Sequence, residues 1–308
     1  MQFTDQHNEI RRTVRQFVEK EVNPYVNEWE EAGIFPAHEL FKKAGDLGLL
    51  GIHKPEEYGG LGLDYSYAMV AHEEWGSASH GSVPMAVSVQ TDMATPALAR
   101  FGSDALREQF LTPAIAGDMV AAIGVSEPHA GSDVSAIKTT AKKRGDDYVI
   151  NGTKMWITNS TQADYICLLA NTSDDQKHRN KSLIVVPTDT PGFSTSKRLN
   201  KLGMRASDTA QLLFDDVVVP QRYLIGEEGK GFTYQMMQFQ EERLAATAIC
   251  IKGLENCIRD TVEYTSQRQA FGKPLLDNQI INMKLADMQM EVEALRALTY
   301  RTCELYIN

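Results

Sequence analysis

Apolar positions change their spacing twice along the chain. Up to about residue 120 they recur at helical intervals. Thr4-Asp5 supplies capping oxygens ahead of Ile10, Val14, Phe17, Val18 and Val22, and Pro24 ends the run. Residues 39–50, 65–75, 84–101 and 106–115 read as further helices of a bundle. Residues 52–64 form a turn-rich loop with Gly59, Gly60 and Gly62. It follows no strand and lacks GxGxxG, so it reads as plain loop rather than phosphate cradle. Glu73-Glu74 reads as a solvated or interface face rather than a catalytic pair. From about 121 to 220 the pattern shortens to strands at 121–125, 139–144, 148–150, 153–158, 165–170, 183–186 and 212–219. Gly145-Asp146, Asn151-Gly152 and Pro191-Gly192 separate them, and Asn-Gly is a strong hairpin signal. Residues 148–150 and 153–158 are therefore expected to pair across a turn, within an antiparallel sandwich or barrel. From Gly231 the chain is helical again, at 232–265 and 278–306 with a connection at 268–277. The order helix, sheet, helix, with no βαβ crossover, excludes a Rossmann domain. The fold class is α+β multidomain: an N-terminal all-α domain (1–120), a middle antiparallel β-barrel (121–225) and two helices of a C-terminal bundle (226–308).

Composition narrows the function classes. The 308 residues carry 41 acidic and 31 basic side chains, a net charge of −10, which argues against nucleic-acid partners. Cys167, Cys250, Cys257 and Cys303 are scattered and never in CxxC, so neither a metal site nor a disulfide framework is expected, and free thiols suit a reducing compartment. No apolar run reaches membrane-spanning length. The N-terminus shows neither a signal nor a transit peptide.

Four stretches could carry chemistry. Trp156 stands two residues before Thr158 on an expected strand, a flat apolar wall beside a hydroxyl, which suits a heteroaromatic ligand. The same pair also suits simple sheet packing. The segment from Gly124 to Asp133 gathers small residues around Gly131 with hydroxyls at Ser126 and Ser132, which would let backbone amides approach a ligand; an irregular capped loop is the plainer alternative. Arg268, ahead of Phe271-Gly272-Lys273 and Gln279, places a guanidinium before a glycine turn, suited to a pyrophosphate or to open surface. In the long helix, Gln240-Glu241-Glu242-Arg243 sets two carboxylates about 100° apart. Glu242 falls on a stripe with Phe232, Met236, Phe239, Ala246, Ile249 and Gly253, and Glu241 falls off it, toward solvent or another subunit. A carboxylate on an apolar stripe should hold its proton more tightly unless a basic group such as Arg243 pairs with it.

Val125-Ser126-Glu127-Pro128 through Gly131-Ser132-Asp133, Lys154-Met155-Trp156-Ile157-Thr158-Asn159, and Arg268 through Phe271-Gly272-Lys273 together resemble the acyl-CoA dehydrogenase family, closest to its branched-chain and citronellyl-CoA types. The likeness runs from the first helix to the last residue; Tyr58-Gly59-Gly60-Leu61-Gly62 and Lys201-Leu202-Gly203-Met204-Arg205 also fit. It implies FAD. Ile123, Val125 and Ser126 would line the flavin, and Gly131 and Ser132 would approach the ribityl–phosphate region or the acyl-CoA. Trp156 and Ile157 would lie at the ring, with Thr158 near N5. Arg268, Phe271 and Gln279 would reach the pyrophosphate and adenine part across a subunit contact. Gln90-Thr91 matches a pair beside the acyl chain, and Arg243 a helix arginine beside the substrate. His129 stands where glycine is usual, and Ala270 where a threonine helps bind FAD.

The implied reaction is α,β-dehydrogenation of an acyl-CoA to the trans-2-enoyl-CoA. Glu242 occupies the place of the helix-borne base used by isovaleryl- and long-chain-type members, which leans toward a branched or medium-to-long acyl chain. The chain is shorter than the family pattern and ends before the loop that carries the base in most members. The resemblance further implies electron-transfer flavoprotein as acceptor, a dimeric or tetrameric homo-oligomer, and a mitochondrial matrix location in a eukaryote or a cytoplasmic one otherwise. Two other readings share the fold: a flavin oxidase or monooxygenase, and a non-catalytic shortened assembly protein.

Overall fold

A computed structural model describes residues 1–174 and 176–308. The helical first third becomes α1 (Asp5–Phe17), α2 (Val26–Ala32), α3 (Ala37–Asp46), α4 (Tyr65–Trp75), α5 (Ser82–Ser88), α6 (Pro96–Phe101), α7 (Asp104–Leu106) and α8 (Thr112–Ile115). Thr4 opens α1 with a reciprocal cap: its hydroxyl accepts from the His7 amide, and its own amide donates to His7 Nδ1. The stretch expected as one helix over 84–101 is split. A π-helical turn, Val89–Ala94, follows α5, and Pro96 starts α6. α4 is buried on nearly every side between α1 and the two long C-terminal helices, and Glu73 and Glu74 are buried with it. Of the two readings of that pair, the interface holds. Glu73 accepts from Arg11, Arg296 and Tyr300, and Glu74 from Arg11 and Arg15.

The middle of the chain is one sheet of eight strands: β1 (Ala121–Gly124), β2 (Thr140–Arg144), β3 (Asp147–Thr158), β4 (Tyr165–Asn171), β5 (Lys181–Pro187), β6 (Phe193–Thr195), β7 (Thr209–Pro220) and β8 (Leu224–Ile225). The order is β6-β7-β3-β2-β4-β5-β8, with β1 on β4. The expected all-antiparallel ladder departs at one strand, since β1 and β2 both meet β4 parallel. A larger correction concerns Asn151-Gly152, which makes no hairpin. The turn between β2 and β3 falls at Gly145-Asp146, and β3 runs unbroken through Asn151. Asn151 uses its side-chain amide across the sheet instead. Its Nδ2 donates to Asp216 Oδ1 at 2.8 Å, and the Asp216 amide donates to its Oδ1 at 2.9 Å. Gly152 sits at φ 149°, and a Cβ there would lie 2.5 Å from Thr139 Oγ1. The glycine therefore serves a close approach to Thr139, ahead of β2, at a register shift in the pairing of β3 with β7.

The last third is α9 (Gly231–Gln267) and α10 (Gln279–Ile307). They are joined by a tight hairpin of Gln269–Ala270 against Lys273–Pro274, with Phe271 and Gly272 both at positive φ. α9 packs on α4, α10, α5, α6 and the π-helical turn. One hydrophobic core lies under the sheet and reaches α6 and α8. A second joins α1, α3, α4 and α5 to α9 through Leu244 and Ala248.

Candidate active site

β3 and the end of β1 bring the sequence motifs together. A second register shift falls between Lys154 and Ile157, and inside it Trp156 adopts φ 66°. Positive φ is costly for an indole-bearing residue and is kept only where the surroundings enforce it. Here the enforcement is visible. The Met155 amide donates to the Ser126 carbonyl, and Lys154 Nζ donates to the Val125 carbonyl and to Glu127 Oε1, each at 2.9 Å. Trp156 is turned outward and is 63% exposed, so the indole is not covered by the sheet as simple packing would require. The shift also breaks the two-residue alternation, so strand geometry does not place Trp156 and Thr158 on one face as expected. Ile157 is buried, while Thr158, Ile123 and Ser126 are half-buried and Val125 is buried beside them.

The charged pair behind this wall was quoted in the motifs but not recognised as a support. Lys154 and Glu127 are both buried. Burial pushes the lysine down to about 8, with Glu127 opposing that fall. Burial acts to raise the Glu127 carboxyl, yet Lys154 and the Lys138 and Thr139 amides outweigh it and hold it below its usual value. Two buried ions cost several kcal/mol unless fully bonded. Here the carboxylate accepts from one ammonium and two amides, which ties residues 125–139 to β3. Gly131 and Ser132 lie exposed on that tied loop, and His129 approaches Glu127 at 3.5 Å.

α9 supplies the carboxylates, and its geometry corrects the expectation for Glu241. The deeply buried stripe runs through Tyr234, Gln235, Gln238, Glu241, Leu244, Ala245, Ala248 and Ile251. Glu241 is only 1% exposed; Arg100 and Tyr306 donate to its Oε1. It is therefore not at solvent: one oxygen is held by Arg100 and Tyr306, and Oε2 has no hydrogen-bond partner among the described residues. Phe232, Met236, Phe239, Glu242, Ala246, Ile249 and Gly253 form a half-buried shoulder beside that stripe. Two of the stripe's polar side chains misled the pattern because specific partners sequester them: Glu241 in the way just described, and Gln238, which accepts from the Ala97 amide and donates to the Met93 carbonyl; Gln235 is buried with neither side-chain polar atom hydrogen-bonded among the described residues. Burial raises the Glu242 carboxyl; Arg243 opposes this and Asp92 adds to it. Arg243 itself is exposed, stacks over Phe239 at 5.3 Å and donates to the Phe239 carbonyl. Among the described residues it makes no ion pair with Glu242.

The remaining candidates separate. Gln90 and Thr91 lie in the buried π-helical turn. Gln90 donates to the Ala114 and Met119 carbonyls and accepts from the Ala121 amide, so its polar atoms are engaged in fixing β1. Thr91 donates to the Val87 carbonyl. Arg268, Phe271 and Gln279 are exposed at the α9–α10 connection, with Phe271 fully so. No group of side chains suited to a metal ion occurs among the described residues, and no helix there is long and apolar enough to cross a membrane.

A flavin fits what is present. An outward-facing indole in an enforced backbone, half-buried hydroxyls at Ser126 and Thr158, and apolar flanks at Ile123 and Ile157 match a flat ring with a polar rim. Comparisons with known proteins agree. Models of the acyl-CoA dehydrogenase N-terminal, middle and C-terminal domains match residues 4–118, 122–217 and 229–307. The chain is 38% identical over its whole length to the mitochondrial short-chain specific acyl-CoA dehydrogenase of Rattus norvegicus, covering 74% of it. It is 37% identical, over 99% of its length, to the long-chain specific enzyme of the same organism, covering 70%. The crystal structure of a Mycobacterium smegmatis glutaryl-CoA dehydrogenase in complex with FADH2 matches at TM-score 0.91 and 32% identity, over 99% of this chain and 77% of that one. The chain belongs to the acyl-CoA dehydrogenase family of FAD-dependent oxidoreductases.

Proposed function

We propose that this chain dehydrogenates a branched or medium-to-long acyl-CoA, with Glu242 taking the α-proton. The observation that carries the base is the Glu242 carboxyl: half-buried, unpaired among the described residues, and raised by burial. A base on the substrate must be ionised at working pH yet hold a proton well once it receives one, and desolvation moves a carboxylate that way. Glu241 is engaged on one oxygen by Arg100 and Tyr306, which ties it to α6 and α10 rather than to a substrate. When bound, FAD supplies the acceptor for the β-hydride. Trp156, Ile123, Val125, Ile157, Ser126 and Thr158 would hold its ring. Gly131 and Ser132 would meet its phosphate side or the thioester carrier, and Arg268, Phe271 and Gln279 its adenine half. Arg243 would orient the substrate, and Gln90-Thr91 would form a wall of the acyl pocket rather than bond the ligand.

The acyl preference rests on the family likeness of a helix-borne base. Relatives named for short and for long chains are almost equally identical to this chain, so identity does not rank them. Electron-transfer flavoprotein as acceptor and a homo-oligomeric assembly belong to the same reading, as does a mitochondrial location where the source is eukaryotic. The test is anaerobic bleaching of flavin absorbance by straight and branched acyl-CoAs in FAD-loaded protein. Glu242→Gln should retain flavin and slow bleaching by about 10²–10⁴-fold. An unchanged bleaching rate would place the base elsewhere.

A further inference from the structure

Asp92 has no role assigned in the proposed reaction, yet it is fully buried in the π-helical turn and both of its carboxylate oxygens have polar partners. Its Oδ2 lies 2.7 Å from His72 Nε2 and accepts from Thr91 Oγ1 at 2.5 Å. Its Oδ1 accepts from the Tyr65 hydroxyl at 2.8 Å. The same hydroxyl lies 3.0 Å from the backbone carbonyl of Glu241, the residue before the base. The phenol has a single proton, shared between these two acceptors, and in this way links α4 to both the π-helical turn and α9. π-Helical turns widen a helix locally and recur at functional positions. This one packs against α9, the helix that carries Glu242.

We propose that Asp92 is a positioning residue for the base: through Tyr65 it locks the backbone of α9 at Glu241, and it sets a fixed negative charge in the turn that packs against the helix carrying Glu242. The proposal rests on Glu242 being the base. The lock matters because Glu242 is not tied down by an ion pair of its own, and its placement is inherited from the helix backbone. The charge matters because like charges held near one another favour the protonated form of the weaker acid. Burial works against ionisation of Asp92, but His72, then His53 and Lys54, outweigh it and keep it ionised. Lys54 is itself buried and donates to the Thr91 carbonyl at 2.7 Å, with His53 Nε2 at 2.9 Å. The charged and titratable groups around this point are therefore His72 and Tyr65 from α4, His53 and Lys54 from the loop before it, Arg100 from α6, and Glu241 and Arg243 from α9. Of these, Arg243 acts on Glu242, in the sense opposite to Asp92.

The test separates charge from lock. Protein carrying ¹³C-labelled glutamate side chains is titrated by NMR, with Glu242 assigned by its loss in Glu242→Gln. Asp92→Asn should move the Glu242 midpoint down toward the ordinary carboxylate range; an unmoved midpoint in folded protein overturns the charge half. Tyr65→Phe leaves Asp92 charged. It should slow substrate bleaching of the flavin by roughly 10- to 10²-fold with KM nearly unchanged, as expected for a displaced reacting group. Bleaching at the unmutated rate overturns the lock, and this variant decides the proposal alone if Asp92→Asn does not fold. If Glu242→Gln bleaches normally, the assignment of the base fails, and the titration still reports whether Asp92 acts on Glu242.

Discussion

At the scale of single residues, two buried ionisable groups have opposite tasks, and pH distinguishes them. Glu242 is raised in the folded protein, so its ionisation opposes folding. That cost is absent below the unfolded value near 4.5, grows as pH rises toward the folded value, and is complete above it. Glu242→Gln should therefore raise Tm at neutral pH while abolishing chemistry, and the gain should vanish in acid. Thermal melts across pH check this; a gain independent of pH would mean the effect is packing. Glu127 behaves in the reverse sense. Its folded value is depressed, so its contribution is present above the unfolded value and is lost as pH falls through the folded one. Glu127→Gln should leave Lys154 buried without its counter-ion and cost about 3–5 kcal/mol in denaturant unfolding. It should also loosen residues 125–139 and weaken flavin retention. A loss below 1 kcal/mol would show that water or another group reaches Lys154.

At the scale of elements, what could be read from the sequence depended on who the partners are. α1 was legible because its cap, its apolar face and its stop are all local: Thr4, Val14, Phe17 and Pro24 lie within a few turns. The run Tyr65–Trp75 was legible as a helix, but its burial on nearly all sides was not, because Glu73 and Glu74 find their arginines on α1 and α10, far along the chain. α9 misled for the same reason, since Gln238 and Glu241 read as surface until Ala97, Met93 and Arg100 are brought to them. The Trp156 motif was found, but the backbone conformation that turns the indole outward depends on Ser126 and Glu127 from another strand and loop. Asn151-Gly152 misled because the property that makes a turn, tolerance of positive φ, also serves a close approach inside a strand. Gly152→Ala should strain both φ and the Thr139 contact and cost about 1–3 kcal/mol. Urea unfolding would show it, and a neutral substitution would mean that β3 can flatten locally.

At the scale of the whole molecule, the helical face of the site is joined through Glu73. This carboxylate receives Arg11 from α1 and Arg296 and Tyr300 from α10, while the neighbouring stretch of α4 packs on α9. Glu73→Gln should leave two guanidiniums facing a neutral amide, and breaking such a buried set is typically worth about 3–5 kcal/mol. The loss should show first as faster amide hydrogen exchange along α10 relative to the sheet. Uniformly faster exchange would mean that α10 opens only with global unfolding.

The register shift between β3 and β7 at Asn151-Gly152 also bears on how the protein ages. Asn-Gly sequences are the ones most prone to deamidation, because an unhindered glycine nitrogen can close a ring onto the asparagine side-chain carbonyl. In this strand both ends of the Asn151 amide are engaged by Asp216, and the extended backbone holds the side chain away from ring closure. We predict that Asn151 deamidates far more slowly in the folded chain than in a peptide spanning residues 147–158, as read by mass spectrometry of stored samples. Equal rates would show that the sheet opens there. A slow rate would make the extent of conversion at this one residue a chemical clock, recording how long each molecule has spent with this pairing undone.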